Sequence, residues 1–122
     1  MENKKEKLED FKAAISSTVR SLANSHKVEV TFGNQSVKNI NNSIKLPDLH
    51  EIKDEINYEE IRAIADSKSL KLRFSNNETL KKYEPEGNIS KKLYKISEKI
   101  RCEKIGTSYF KGVKNNIEKF YH

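Results

Sequence analysis

From Ile89 to Tyr121 the apolar residues hold nearly one helical phase: Ile89, Leu93, Ile96 and Ile100, then Phe110, Val113, Ile117 and Tyr121. Spacings of three and four put such residues on one side of an α-helix, so a long C-terminal helix opened by Asn88 is predicted. The same line runs through Glu103 and Gly106, where leucine or isoleucine would be expected. A carboxylate on an inward face needs hydrogen-bonding or charged partners. A glycine in a helix interior costs about 1 kcal/mol relative to alanine, so a close helix-helix approach is expected at Gly106, and again at Gly112.

Arg62 and Arg73, on the preceding helix, are the expected partners of Glu103, because a guanidinium pairs with a carboxylate in a fixed two-pronged geometry. Glu98 and Arg101, at i and i+3, can extend the network. The candidate structural or partner-contact network comprises Arg62, Asp66, Arg73, Glu98, Arg101, Glu103, Gly106, Gly112 and Asn116. It reads either as a pin that holds two helices in register or as a socket for a partner protein.

The rest of the chain divides into short elements. Leu8, Phe11, Ile15, Val19 and Leu22 mark one face of a helix over about residues 5–24, with Asn24 and Ser25 suited to its end. "KVEVTFGN" alternates, with Val28, Val30 and Phe32 on one side and Glu29 and Thr31 on the other, and closes in a Gly33-Asn34 turn. "IKLP" offers a second strand around Ile44 and Leu46, and an irregular β-hairpin on the helix is the simplest assembly. Asn57 with Glu60 forms a capping-box pattern ahead of Tyr58, Ile61, Ile64, Ala65 and Leu72. Ser75 with Glu78 repeats it, so one or two middle helices are expected, with any break near Asn76. "PEG" at 85–87 is a stop. The fold class is α+β, mostly α. A chain of 122 residues suits a single domain over 1–122, with 1–6 and 119–122 expected to fray.

Charge is uneven. Residues 1–60 carry nine basic and eleven acidic side chains, whereas residues 61–122 carry fifteen and seven. The basic half makes nucleic acid a rival partner, yet lysine far outnumbers arginine and a solvated lysine-rich face explains the count more simply. Tyr94, Tyr109, Phe110, Phe120 and Tyr121 interleave with lysines, but at helical spacing they read as core. His26, His50 and His122 lack ligand spacing, and His50 reads as a surface loop residue. The single cysteine, Cys102, reads as a small, partly buried residue in a chain without disulfides, which fits a reducing compartment. No phosphate loop or nucleophile motif occurs, and without an apolar leader or long apolar run the chain is expected to be soluble and cytoplasmic.

In order, "FKAAISSTVRSLA", "VEVTF", "IKLP", "RAIAD", "LKLR", "PEG", "EKIRCEKIG" and "GVKNNI" cover about residues 11–118. Together they resemble the N-terminal domain of the T subunit of aerobic, ATP-dependent cobaltochelatase, the cobalt-inserting enzyme of cobalamin biosynthesis. Two departures stand out. Ser75-Asn76 occupies a place where the family tends to carry His-Asp, and Leu80 stands where a further histidine is usual, so no metal role is carried over. Family members join this domain to an acidic linker and a von Willebrand A-type domain. The present chain is therefore expected to be that first domain alone or a naturally short relative.

The resemblance implies a non-catalytic assembly or coupling domain within a three-component machine, inactive by itself. Its partners would be a ring-forming AAA+ ATPase subunit and a large corrin-binding chelatase subunit. ATP, Mg2+ and Co2+ belong to the whole complex, with no cofactor, catalytic residue or metal ligand in this chain. An adaptor for an AAA+ ATPase unrelated to cobalt and a small basic nucleic-acid-binding protein are the alternatives. Membrane association and specific nucleic-acid binding are not expected.

Overall fold

The computed structural model describes residues 2–48 and 58–121. Asn57, expected to cap a helix, His50 and His122 lie outside the described residues. Helix α1 (Glu2–Leu22) precedes strand β1 (Glu29–Phe32), a 3-10 turn at Ile40–Asn42 and strand β2 (Ser43–Leu46). Four helices follow: α2 (Tyr58–Phe74), α3 (Asn77–Lys82), α4 (Asn88–Tyr109) and α5 (Lys111–Tyr121).

Helix α1 buries the stripe expected of it. Ile15, Val19 and Leu22 are buried, and Leu8 and Phe11 pack partly covered beside the first of two core clusters. Its end is set by Asn24, which takes a left-handed conformation at φ 57°. The Ser25 amide reaches back to Arg20 O at 3.0 Å and the Asn24 amide to Ser21 O at 3.2 Å. Asparagine tolerates this conformation, and the two bonds satisfy carbonyls that the helix end would otherwise leave open.

The two strands form where expected, but they do not make a hairpin. β1 and β2 pair in parallel, with Val30 opposite Ile44 and Phe32 opposite Leu46. Gly33, at φ 73°, turns the chain out of β1, and residues 34–42 run back to the start of that strand. Lys38 N donates to Glu29 Oε2 at 2.9 Å and holds the return path there. The sequence pattern of two short alternating runs is the same for either pairing; only the path of the connection decides it. Thr31, expected to face solvent, is buried as well.

Helix α2 is the hub, packing against α1, β2, α4 and α5. Ile61 and Ala65 join the first cluster, with Ile64 and Leu72 partly covered against it. Its opposite side is also covered, because Ala63, Asp66, Ser67, Ser69 and Leu70 are buried. Tyr58 stays 40% exposed, but its ring meets Phe11 edge-on at 4.4 Å. The middle segment breaks in two as the sequence allows. The cap of α3 is Asn76 rather than Ser75, its side chain accepting from the amides of Glu78 and Thr79 at 3.0 and 3.1 Å.

The long C-terminal helix is present as α4, and it stops short of Tyr121. Phe110 adopts extended backbone and separates α5, which packs on α2 and α4. Val113 and Ile117 of α5 join Leu22, Leu70 and Cys102 in a second core cluster, with Phe110 and Phe74 against it. The constant phase across Phe110 therefore comes from two helices, each burying its own stripe.

A second expectation fails more widely. Ile89, Leu93, Ile96 and Ile100, read as the inward line of this helix, are 77, 60, 53 and 54% exposed. The side of α4 that turns inward carries Cys102, Glu103 and Gly106, with Tyr94 and Glu98 half-buried. Glu98 hydrogen-bonds Ser75, and Arg101 donates to Phe74 O at 2.8 Å, at the end of α2. The turns of α4 before Glu98 thus run past the end of the hub helix. The six-residue α3 lies alongside, tied by Tyr94 Oη donating to Leu80 O at 3.0 Å.

Candidate functional site

Two neighbouring residues of α2 lock three helices together. Ser67 Oγ donates to Glu103 Oε1 of α4 at 2.6 Å. Asp66 Oδ2 accepts from Asn116 Nδ2 of α5 at 2.8 Å. Tyr121 Oη closes the triangle by donating to both oxygens of Glu103, at 3.0 and 3.1 Å. Glu103 is 7% exposed and Asp66 4%, so both carboxylates depend on these partners.

Glu103 is thus inward and satisfied, but not by an arginine. Lys99 stands 3.9 Å away, one helical turn earlier, and is the charged neighbour. Arg62 and Arg73 point elsewhere. At about 100° per residue they lie about 140° and 120° around α2 from Ser67, together on one flank. Arg62 is exposed and acts on Asp66 only through its charge. Arg73 donates to Leu22 O at 3.4 Å, with its guanidinium over the rings of Phe74 and Phe110 at 5.6 and 5.4 Å. There it ties α1 and the break after α4 to the end of α2, with modest cation-π attraction.

Gly106 lies one turn beyond Glu103 and meets Leu70, one turn along α2 from Ser67. A Cβ at Gly106 would come 2.8 Å from Leu70 Cγ and nearer still to its two methyls, and Leu70 is fully buried. The close approach expected there exists. Gly112 has none: a Cβ would meet nothing within 4 Å. It sits in the first turn of α5, away from the neighbour that the single-helix reading supplied.

Glu98 and Arg101 pair side by side on α4, and Arg101 also serves the C-terminal carbonyl of α2. Cys102, tucked beneath them, is fully buried. Burial, reinforced by the nearby Glu98 carboxylate, pushes its thiol up to about 11, so at neutral pH it carries no thiolate. Burial also raises Asp66 above its ordinary value, against the opposing pull of the Asn116 hydrogen bond and Arg62. Asn76 and Leu80, at the two departures from the family pattern, do structural work as helix cap and as carbonyl acceptor for Tyr94.

The sequence-derived network therefore separates into an internal triangle (Asp66, Glu103, Asn116, with Gly106 beside it), a pair at the end of α2 (Glu98, Arg101) and two outlying arginines. The triangle's hydrogen bonds join α2 to α4, α2 to α5 and α4 to α5. Among the described residues, no three His, Cys, Asp or Glu side chains gather as a metal-binding group.

What the sequence reading missed is the outer face of α4. Ile89, Leu93, Ile96 and Ile100 follow one another at intervals of four, three and four. That is the narrow seam of a coiled coil, whereas a helix buried in a globular core shows a broader apolar face. Lys92 and Lys99 flank the seam on one side and Ser90 and Ser97 on the other. The strict interval and the bordering lysines were the available signal.

A buried polar triangle beside a glycine contact, with an open apolar line on the longest helix, characterises a small, mostly helical domain. The chain belongs to the family of cobalamin biosynthesis protein CobT, whose model matches residues 5–122. No solved structure matches the chain. No helix among the described residues is long and apolar enough to cross a membrane.

Proposed function

We propose that this domain is a non-catalytic assembly and coupling module of ATP-dependent cobaltochelatase. It joins the ring-forming AAA+ ATPase subunit to the large subunit that holds the corrin precursor during cobalt insertion. Membership of the cobalamin family supplies the pathway. The observation that carries the assembly role is the exposed line Ile89, Leu93, Ile96 and Ile100. Four large aliphatic side chains open to water on one helix face mark a surface that gains by being covered.

The internal triangle supports the same reading from the other side. Glu103 and Asp66 spend their hydrogen-bonding capacity within the chain, so the network acts as a register pin that keeps α4 fixed against α2 and α5. A rigid mount suits a domain that transmits movement from a ring to a second subunit.

The test is reconstitution. Purified chain mixed with the ATPase subunit and the large subunit should co-elute with them, and the chain alone should give no product from Co2+, ATP and a corrin precursor. Turnover by the isolated chain, or failure to associate with either subunit, would remove this reading. Association with an ATPase but not with the corrin-binding subunit would favour an adaptor outside cobalt chelation.

A further inference from the structure

We infer that the outer face of α4 is a docking site for an acidic amphipathic helix of a partner protein, which adds to the domain as a two-stranded helical pairing. The inference rests on the assembly role in taking a protein as the occupant, and it specifies the chemistry that the role leaves open.

The apolar intervals set the shape of the occupant. Ile89 and Ile96 fall at one core position of a heptad and Leu93 and Ile100 at the other. They span about 17 Å of helix at 1.5 Å per residue, three turns, which matches a short helical ligand with anchors at i, i+3 or i+4, and i+7. The seam has a physical end. One turn past Ile100 the line reaches Glu103, which is already bound by Ser67 and Tyr121.

Charge sets the sign of the occupant. α4 carries six basic and two acidic residues. Both acids are occupied within the chain, Glu98 by Arg101 and Ser75, and Glu103 by Ser67 and Tyr121. The charges that flank the apolar line are Lys92 and, at its inner end, Lys99, which also stands 3.9 Å from Glu103; Lys91 and Lys95 lie further round the helix. A partner helix with Glu or Asp bordering its own apolar line completes this face.

The same charges disfavour other occupants. In an antiparallel pair of two copies, Lys92 and Lys99 would oppose lysines of the second chain. In a parallel pair they would oppose Ser90 and Ser97, so neither arrangement supplies a counter-charge. A lipid surface would match the lysines, but interfacial helices bury a broad face rich in aromatic residues, whereas this seam is one residue wide and bordered by serines.

The probe is a synthetic three-heptad peptide with leucine at both core positions and glutamate at the flanking positions, fluorescently labelled. A matched peptide carries lysine in place of each glutamate. The full chain should bind the glutamate peptide with micromolar affinity that weakens as salt rises, and should bind the lysine peptide at least about tenfold more weakly. Leu93→Ser with Ile96→Ser should reduce glutamate-peptide binding about tenfold or more while leaving the thermal melt in place, because both side chains are already exposed. Lys92→Glu should shift preference toward the lysine peptide.

Equal binding of the two peptides, or retention of binding by the double serine variant, would overturn the inference. So would stripe-dependent self-association in sedimentation, or stripe-dependent binding to phosphatidylserine vesicles with no peptide binding. If the peptide behaves as expected and neither chelatase subunit associates, the assembly role falls and the docking face stands. If the subunits associate and the serine variant still joins them, the docking inference falls alone.

Discussion

Ser67 on α2 and Glu103 on α4 share a buried 2.6 Å hydrogen bond, and Tyr121 of α5 reaches the same carboxylate. The carboxylate that interrupts the apolar line of α4 is thereby the joint at which three helices meet. Glu103→Ala leaves two hydroxyls without their acceptor and should destabilise the domain by about 2 kcal/mol, in the range for hydrogen bonds to a charged group. Glu103→Gln, which keeps one carbonyl oxygen, should cost less. Urea denaturation orders the two variants; equal stability of Glu103→Ala and wild type would remove the joint.

The two glycines of the C-terminal region should respond in opposite directions. Gly106→Ala forces a methyl into the fully buried Leu70 and should cost about 1–3 kcal/mol despite the better helix propensity of alanine. Gly112→Ala meets open space and should be neutral or stabilising by up to about 1 kcal/mol. Pairing Gly106→Ala with Leu70→Ala should recover part of the combined loss, since the new methyl then enters the vacated volume. Thermal melts of the three variants check the pattern.

Burial raises Asp66 above its ordinary value of 3.8. The folded chain therefore holds that proton more tightly than the unfolded chain. The resulting stability is fully present below about pH 3.8 and is lost as pH climbs through the raised value. Asp66→Asn keeps an oxygen to accept from Asn116 and removes the buried charge. It should flatten the decline in stability above pH 4 and be at least as stable as wild type at neutral pH. Denaturation midpoints across this range give the comparison, and an unchanged slope would contradict the assignment.

Cys102 should be silent to thiol reagents while the domain is folded. It is fully buried and its thiol is pushed up to about 11, so both access and thiolate are missing. Labelling by an aromatic disulfide should proceed at the rate of opening, accelerate in step with added urea, and reach one equivalent on unfolding. Rapid native-state labelling would place the thiol at the surface.

Much of the fold was legible where one face alone is buried. The α1 stripe from Leu8 to Leu22, both strands and the stop at "PEG" follow local pattern rules. The parallel pairing of β1 and β2 was not legible, because it depends on the return path of residues 34–42 rather than on the strands. Nor was the break at Phe110, since two stripes in matching phase look like one. Glu103 and Gly106 declared themselves by breaking an apolar line, but their partners did not. Ser67 is a small polar residue on a helix covered nearly all around, and nothing in its local sequence marks it as the match for a carboxylate 36 positions away. The outer face of α4 was misassigned for a related reason: apolar periodicity marks an apolar face, not whether that face turns toward the core.

Side-chain footprinting of the chain by hydroxyl radicals, with and without the ATPase and large chelatase subunits, tests the central claim most directly. Ile89, Leu93, Ile96 and Ile100 are open in the free domain and should be oxidised there, then protected in the complex, while Leu70 stays silent in both states. Unchanged oxidation of those four residues on complex formation, or protection confined to the groove formed by Ile40, Lys45 and Lys71, would contradict it.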